Sequence, residues 1–185
     1  LHMLLSNKSL LRDAVVTPEQ VTPSPEGFSS GNFDEDKVIG ADDIRNLSWQ
    51  QFEAFVAELF AVEWQVKGCM LTATQDHGAD VVLDQGDQIT LIQCKHTASA
   101  GSYRGYKAVK EVESAERMYK KEFSKPINRL IVVTNATRLS ADTGSIAKDY
   151  GVEVIDGRTL GPLADKHQIP LGKVTSRLQS KRLNV

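Results

Sequence analysis

Two short β-rich runs, residues 80–83 and 89–96, flank Asp84-Gln85-Gly86-Asp87, and no other stretch constrains the fold as tightly. Valine, isoleucine and threonine favour a pleated, half-buried surface, and the intervening Gly and Asp favour a turn, so the stretch predicts a β-hairpin. A turn centred on Gln85 and Gly86 pairs Leu83 with Gln88, Val82 with Ile89 and Asp80 with Leu91. Successive strand side chains point to opposite faces, so Leu91, Gln93 and Lys95 project from the face that carries Asp80. Ile92 and Cys94 point the other way, into an expected core.

That register gathers a carboxylate, an amide oxygen and an ammonium. Oxygen ligands of this kind suit Mg²⁺, which keeps several waters and needs few protein groups, and Mn²⁺ can replace it. A metal held by Asp80 and Gln93 lowers the pKa of bound water and offsets charge building on a phosphate. Lys95 beside it can orient or help deprotonate the attacking water, or stabilise the phosphate. The same residues have a bland reading: Asp80 as a strand cap, Gln93 and Lys95 as the polar face of a sheet. The motif by itself is short and degenerate.

Three segments in order add context. They are Leu47-Ser-Trp-Gln-Gln-Phe-Glu-Ala-Phe-Val-Ala-Glu-Leu-Phe60; Asp76-His77-Gly78-Ala79-Asp80 followed by Gln93-Cys94-Lys95; and the strand 130–134, a helix, then Gly151-Val-Glu-Val-Ile-Asp-Gly157. Together, over about residues 47 to 165, they resemble the Mrr-type restriction endonuclease catalytic domain of the PD-(D/E)xK nuclease superfamily. The resemblance implies an α/β fold, a restriction-endonuclease-like mixed β-sheet flanked by helices. It also implies a Mg²⁺-dependent endonuclease cutting DNA, with Asp80, Gln93 and Lys95 as the catalytic set and Glu53 as the acidic residue of the first helix. The superfamily usually has Asp or Glu where this chain has Gln93, although Mrr-like members commonly carry Gln. The amide removes one negative charge, and weaker metal binding is expected.

Composition sets the outer bounds. At 185 residues the chain fits one domain with tails, and 41% hydrophobic with 25% charged residues is ordinary for a globular protein. The formal net charge is −2, so a DNA-binding surface has to be a local patch. Cys69 and Cys94 form no CxxC or Cys/His cluster, which argues against structural zinc or an iron–sulfur cluster. A buried, reduced Cys94 fits a cytoplasmic location. No apolar run approaches the ~20 residues needed to span a bilayer. Leu1-His2-Met3 reads as a short addition ahead of a start at Met3.

Residues 1–46 read as an extended leader, punctuated by Thr17-Pro18, Thr22-Pro23 and Ser24-Pro25 and acidic near its end. Residues 47–166 read as the catalytic domain. Its first helix runs from Trp49 to about Val62, with Ser48 as N-cap, Gln51 completing a capping box and Leu47 stapling Phe52. Phe52, Phe55, Val56, Leu59 and Phe60 form an apolar stripe; Glu53 lies on its border and Glu58 nearer solvent. A strand over about 69–74 precedes a polar loop in which His77 is either a phosphate contact or a turn residue. Residues 97–105 read as a flexible loop carrying Tyr103 and Arg104. The following helix buries Ala108, Val112, Ala115 and Tyr119, and its Lys107 and Lys110 are candidate phosphate contacts or parts of a salt-bridged surface. Strands 129–134 and 152–155, with a helix capped by Ser140 and closed by Gly151 between them, predict parallel pairing. Residues 167–185 form a basic tail with Lys173, Arg177, Lys181 and Arg182, able to attract DNA or to pack on the leader.

The function this supports is metal-dependent hydrolysis of DNA phosphodiester bonds, restriction-type, by a homodimer that brings two active sites to a duplex. Structure-specific cleavage, as at Holliday junctions, and a catalytically silent DNA-binding module stay open beside it.

Overall fold

Residues 89–94 are buried without a break, so this segment has packed layers on both faces, which a surface hairpin does not. In the computed structural model it is the middle strand of the sheet. The structure describes residues 34–66, 68–72, 78–97, 101–104 and 106–183, all within one compact unit, Asp34–Val185. In chain order the elements are β1 (Val38–Ile39), a 3-10 turn (Ile44–Asn46), α1 (Trp49–Glu63), β2 (Gly68–Leu71), β3 (Val81–Asp84) and β4 (Ile89–Lys95). Then follow β5 (Ser102–Tyr103), α2 (Lys107–Glu122), β6 (Ile127–Thr134), β7 (Arg138–Leu139), α3 (Ala141–Asp149), β8 (Val152–Ile155), α4 (Gly157–His167), β9 (Ile169–Pro170) and α5 (Leu171–Leu183).

The five-stranded sheet has the order β2-β3-β4-β6-β8. Its first three strands run antiparallel, and β4, β6 and β8 run parallel through the crossovers α2 and α3. The expected hairpin is β3–β4, with a register two residues longer than the sequence reading: Val82 faces Leu91 and Asp84 faces Ile89. Four residues turn the corner, closed by Gln85 N–H to the Gln88 carbonyl at 3.0 Å. A shift of two preserves which face each side chain takes, so the predicted sides survive.

Val81, Leu83, Ile92 and Cys94 pack against α1, α4 and α5; Val82, Ile89 and Leu91 pack against α2 and α3. The capping box at the start of α1 is reciprocal, Gln51 N–H to Ser48 Oγ at 3.2 Å and Ser48 N–H to Gln51 Oε1 at 2.8 Å. Ala54 and Ala57 add a second apolar side to the predicted phenylalanine stripe, and helix α1 is therefore enclosed.

That enclosure alters the expected ends of the domain. Strand β1 pairs with β9, and Ile39, Ile44, Ile169 and Val174 are buried, so chain before residue 47 and beyond residue 166 builds the core. Glu58, expected nearer solvent, lies under α5 and is ion-paired with Arg177, which also donates to the Cys69 carbonyl at 2.9 Å. The expected loop 97–105 contains β5, joined in parallel to β7. Among the described residues no helix is long and apolar enough to cross a membrane.

Candidate active site

Asp80 precedes β3 by one residue and is held as though it belonged to the strand. Its N–H donates to the Ile92 carbonyl at 2.8 Å, and its carbonyl accepts from Thr72 N–H at 3.0 Å. Thr72 Oγ1 donates to the Ala79 carbonyl at 2.6 Å, closing the backbone ahead of Asp80. With its main chain fixed from both sides, the Asp80 carboxylate has little freedom beyond χ1 and χ2.

Asp80 lies just beyond the last paired residue, Val81 opposite Ile92, and its side chain meets that of Gln93. Gln93 Nε2 donates to Asp80 Oδ2 at 2.6 Å, and the Cys94 backbone N–H donates to the same oxygen at 2.6 Å. Both residues are buried, at 7% and 5% exposure. Charge-assisted bonds of this length are strong, and they fix the carboxylate's direction. Asp80 and the amide oxygen of Gln93 are hard donors within one small volume, and a strand residue's C=O points to the same side as its N–H, so the Cys94 carbonyl joins them. One carboxylate with two neutral oxygens fits a Mg²⁺ or Mn²⁺ ion that keeps much of its water. The amide must then present Oε1 rather than Nε2 to the ion. Among the described residues no cluster of three or more His, Cys, Asp or Glu side chains offers an all-anionic alternative.

Lys95, two residues along the same face, places Nζ 2.7 Å from Glu111 Oε2 on α2. Burial pushes the Lys95 pKa down, but the Glu111 carboxylate beside it and the charge of Asp80 outweigh this and raise it above the usual lysine value. Lys95 is thus an ammonium at neutral pH, suited to holding negative charge rather than to taking a proton. Glu111 is a site residue that the motif does not contain. Its signal lay in the helix: position 111 is three after Ala108 and four before Ala115, an acidic side chain set into the buried stripe.

The loop before Asp80 rests on the same turn of α2. Gly78 has φ +96°, and a β-carbon there would lie 2.3 Å from the Glu111 carbonyl oxygen, so only glycine permits this approach. On the far side Asn135 clamps the chain leaving β4. Its Oδ1 accepts from Thr97 N–H at 2.7 Å and from Thr97 Oγ1 at 3.1 Å, and its Nδ2 donates to the Thr97 carbonyl at 2.7 Å.

The structure brings Asp80, Gln93 and Lys95 together. Glu53 is 8% exposed on α1, the helix that packs on the opposite sheet face, and its neighbour Phe52 packs its ring 5.2 Å from that of His96. Its burial replaces the border position expected of it, because α1 is covered on more than one side. Arg104 is exposed directly after β5. Lys107 is exposed with its Nζ 3.6 Å from Glu111, and Lys110 lies 4.5 Å over the Tyr106 ring. Arg117–Glu113 and Lys120–Glu116 pairs further along α2 match the salt-bridged reading of that helix. His77 lies outside the described residues.

A family model for restriction endonucleases, the Mrr catalytic domain, matches residues 44–164. No curated protein matches the sequence. Among solved structures, EndoMS in its apo form is 19% identical with a TM-score of 0.38, over 56% of this chain and 45% of that one. AspBHI, a DNA modification-dependent restriction endonuclease, is 17% identical with a TM-score of 0.46, over 78% of this chain and 39% of that one. The small subunit of the heterodimeric restriction endonuclease BspD6I is 11% identical with a TM-score of 0.38, over 78% of this chain and 96% of that one. The chain therefore spans less than half the length of the first two.

Proposed function

The chain belongs to the Mrr-type restriction endonuclease catalytic-domain family, and from that premise we propose that it is a metal-dependent endonuclease that hydrolyses DNA phosphodiester bonds. The fold is restriction-endonuclease-like, a mixed five-stranded sheet flanked by five helices. What carries the proposal is the meeting of Asp80, Gln93 and Lys95 at one end of the β3–β4 hairpin, with Asp80 and Gln93 in direct contact.

Asp80 and Gln93 would hold a Mg²⁺ or Mn²⁺ ion, with the Cys94 carbonyl alongside. Such an ion supplies Lewis-acid polarisation of the phosphate and a more acidic water. Lys95 contributes its positive charge: it orients the attacking water and offsets the charge that builds on the phosphate oxygens. The Cys94 N–H keeps Asp80 in line while the Gln93 amide would turn its oxygen to the ion. Glu53, on the helix behind the opposite sheet face, is assigned a supporting role that requires it to reach past the sheet edge. His77, Arg104, Lys107 and Lys110 contact phosphates along the DNA, and such contacts position the duplex without reading its sequence.

Restriction-type cutting of both strands calls for two such sites, and we assign the acting species as a homodimer. Cys69 and Cys94 form no disulfide among the described residues, and two thiols suit a reducing cytoplasm.

The test is cleavage of plasmid, base-modified plasmid, single-stranded and four-way-junction DNA in Mg²⁺ or Mn²⁺, with EDTA as control. Wild type is compared with Lys95→Ala and Asp80→Ala. The proposal expects metal-dependent nicking or cutting of duplex DNA that both substitutions abolish. Preference for the four-way junction moves the assignment to structure-specific cleavage. DNA binding with no cutting of any substrate supports a silent binding module, and equal cutting by all three proteins removes the catalytic assignment.

A further inference from the structure

Glu111 belongs to no motif of the chain, yet its carboxylate reaches the Lys95 ammonium from helix α2. Its Oε2 is buried and receives no hydrogen bond of ordinary geometry; the Lys95 ammonium stands 2.7 Å from that oxygen, and the exposed Lys107 lies 3.6 Å from Oε1. The Glu111 backbone is fixed in turn, because the turn of α2 that carries it presses against Gly78. Lys95 has the opposite character: a four-carbon stem with several rotamers and a compact charge at its tip. Asp80 lies on the same sheet face, and its charge is felt at Lys95.

Without Glu111, the remaining carboxylate whose charge reaches the Lys95 ammonium is Asp80. A lysine folded onto Asp80 occupies the carboxylate in place of a divalent cation, and one carboxylate cannot serve both equally. We infer that Glu111 is a positioning residue that withholds Lys95 from Asp80 and so keeps the carboxylate open to a divalent metal ion. The inference rests on the metal-dependent reading proposed above and adds a residue to it. It also gives a reason for an acidic side chain within the apolar stripe of α2, where burial would otherwise disfavour it.

The test is Mn²⁺ binding to the full chain without DNA, read by electron paramagnetic resonance, for wild type, Asp80→Asn, Glu111→Gln, Lys95→Met and the Glu111→Gln/Lys95→Met pair. Wild type should bind and Asp80→Asn should not. Glu111→Gln should weaken binding by about tenfold, whereas the same change in the Lys95→Met background should alter it by less than about twofold, a coupling that independent sites would not show. An equal loss in both backgrounds overturns the inference, because Glu111 would then act as a ligand, through space or on the fold at large. No loss in either background also overturns it. Binding by wild type that Asp80→Asn leaves intact, or no binding at all, overturns the metal reading and the inference with it. Glu111→Ala, measured in the same two backgrounds, gives a second reading should the Gln variant unfold.

Discussion

The β3–β4 hairpin carries a carboxylate and a lysine partner at each end, and the two ends differ in almost everything else. At the turn, Asp84 accepts from Lys125 Nζ at 2.8 and 2.6 Å and from Gly86 N–H at 2.8 Å, with both charged side chains more than a third exposed. At the open end, Asp80 is buried and accepts from an amide and the main chain, while Lys95 on the same face is ion-paired with a carboxylate from α2. A lysine that neutralises an exposed aspartate finishes a turn. A buried aspartate beside a lysine that is paired with another anion keeps its charge within the site. The comparison shows that composition alone does not separate a site from a surface; burial and the assignment of partners do.

The largest contrast is expected in catalysis. Lys95→Ala should lower Mg²⁺-dependent cleavage by about 10²–10³-fold or more, the usual consequence of losing one preorganised charge, while Lys125→Ala should cut as wild type does. Similar losses in a gel assay for both variants would erase the distinction between the ends.

Next come the two glycines that flank these aspartates. Gly78 and Gly86 both have positive φ, +96° and +101°. Gly86→Ala should cost about 1–2 kcal/mol for conformation alone. Gly78→Ala adds the collision with the Glu111 carbonyl and should cost upward of about 3 kcal/mol in urea unfolding. A smaller cost at Gly78 than at Gly86 would mean that the chain before Asp80 does not rest on α2.

Asn135→Ala removes three bonds to Thr97 and should cost about 2–3 kcal/mol. It should also slow cleavage without changing DNA affinity, since it loosens the chain that follows Lys95 rather than the surface. The smallest effect belongs to Lys125→Ala, with less than about 1 kcal/mol expected for so exposed a pair.

The sequence made the faces of the hairpin legible but not its register. Alternation of side chains depends only on parity, so Asp80, Gln93 and Lys95 share a face whether the turn has two residues or four. The longer turn sets Val81 opposite Ile92, and Gln93 then lies within hydrogen-bonding reach of Asp80. Helix α1 was legible from Ser48, Gln51 and its phenylalanines because caps and apolar periodicity are local signals. Strands β1 and β9 were not, since two residues each carry no periodicity and their pairing joins positions more than a hundred residues apart. Glu111 was visible as a charge on α2 and legible as a site residue only once the phase of the helix against the sheet was known. Arg177 and Glu58 repeat that lesson: one read as part of a basic tail and the other as nearer solvent until α5 was placed on α1.

The most direct test gives the two ends of the hairpin the same substitution. Plasmid cleavage in Mg²⁺ should be lost in Asp80→Asn and retained in Asp84→Asn, each variant confirmed folded by circular dichroism. Cleavage by Asp80→Asn at the wild-type rate, or equal loss in the two variants, would contradict the assignment of the active site to the Asp80 end.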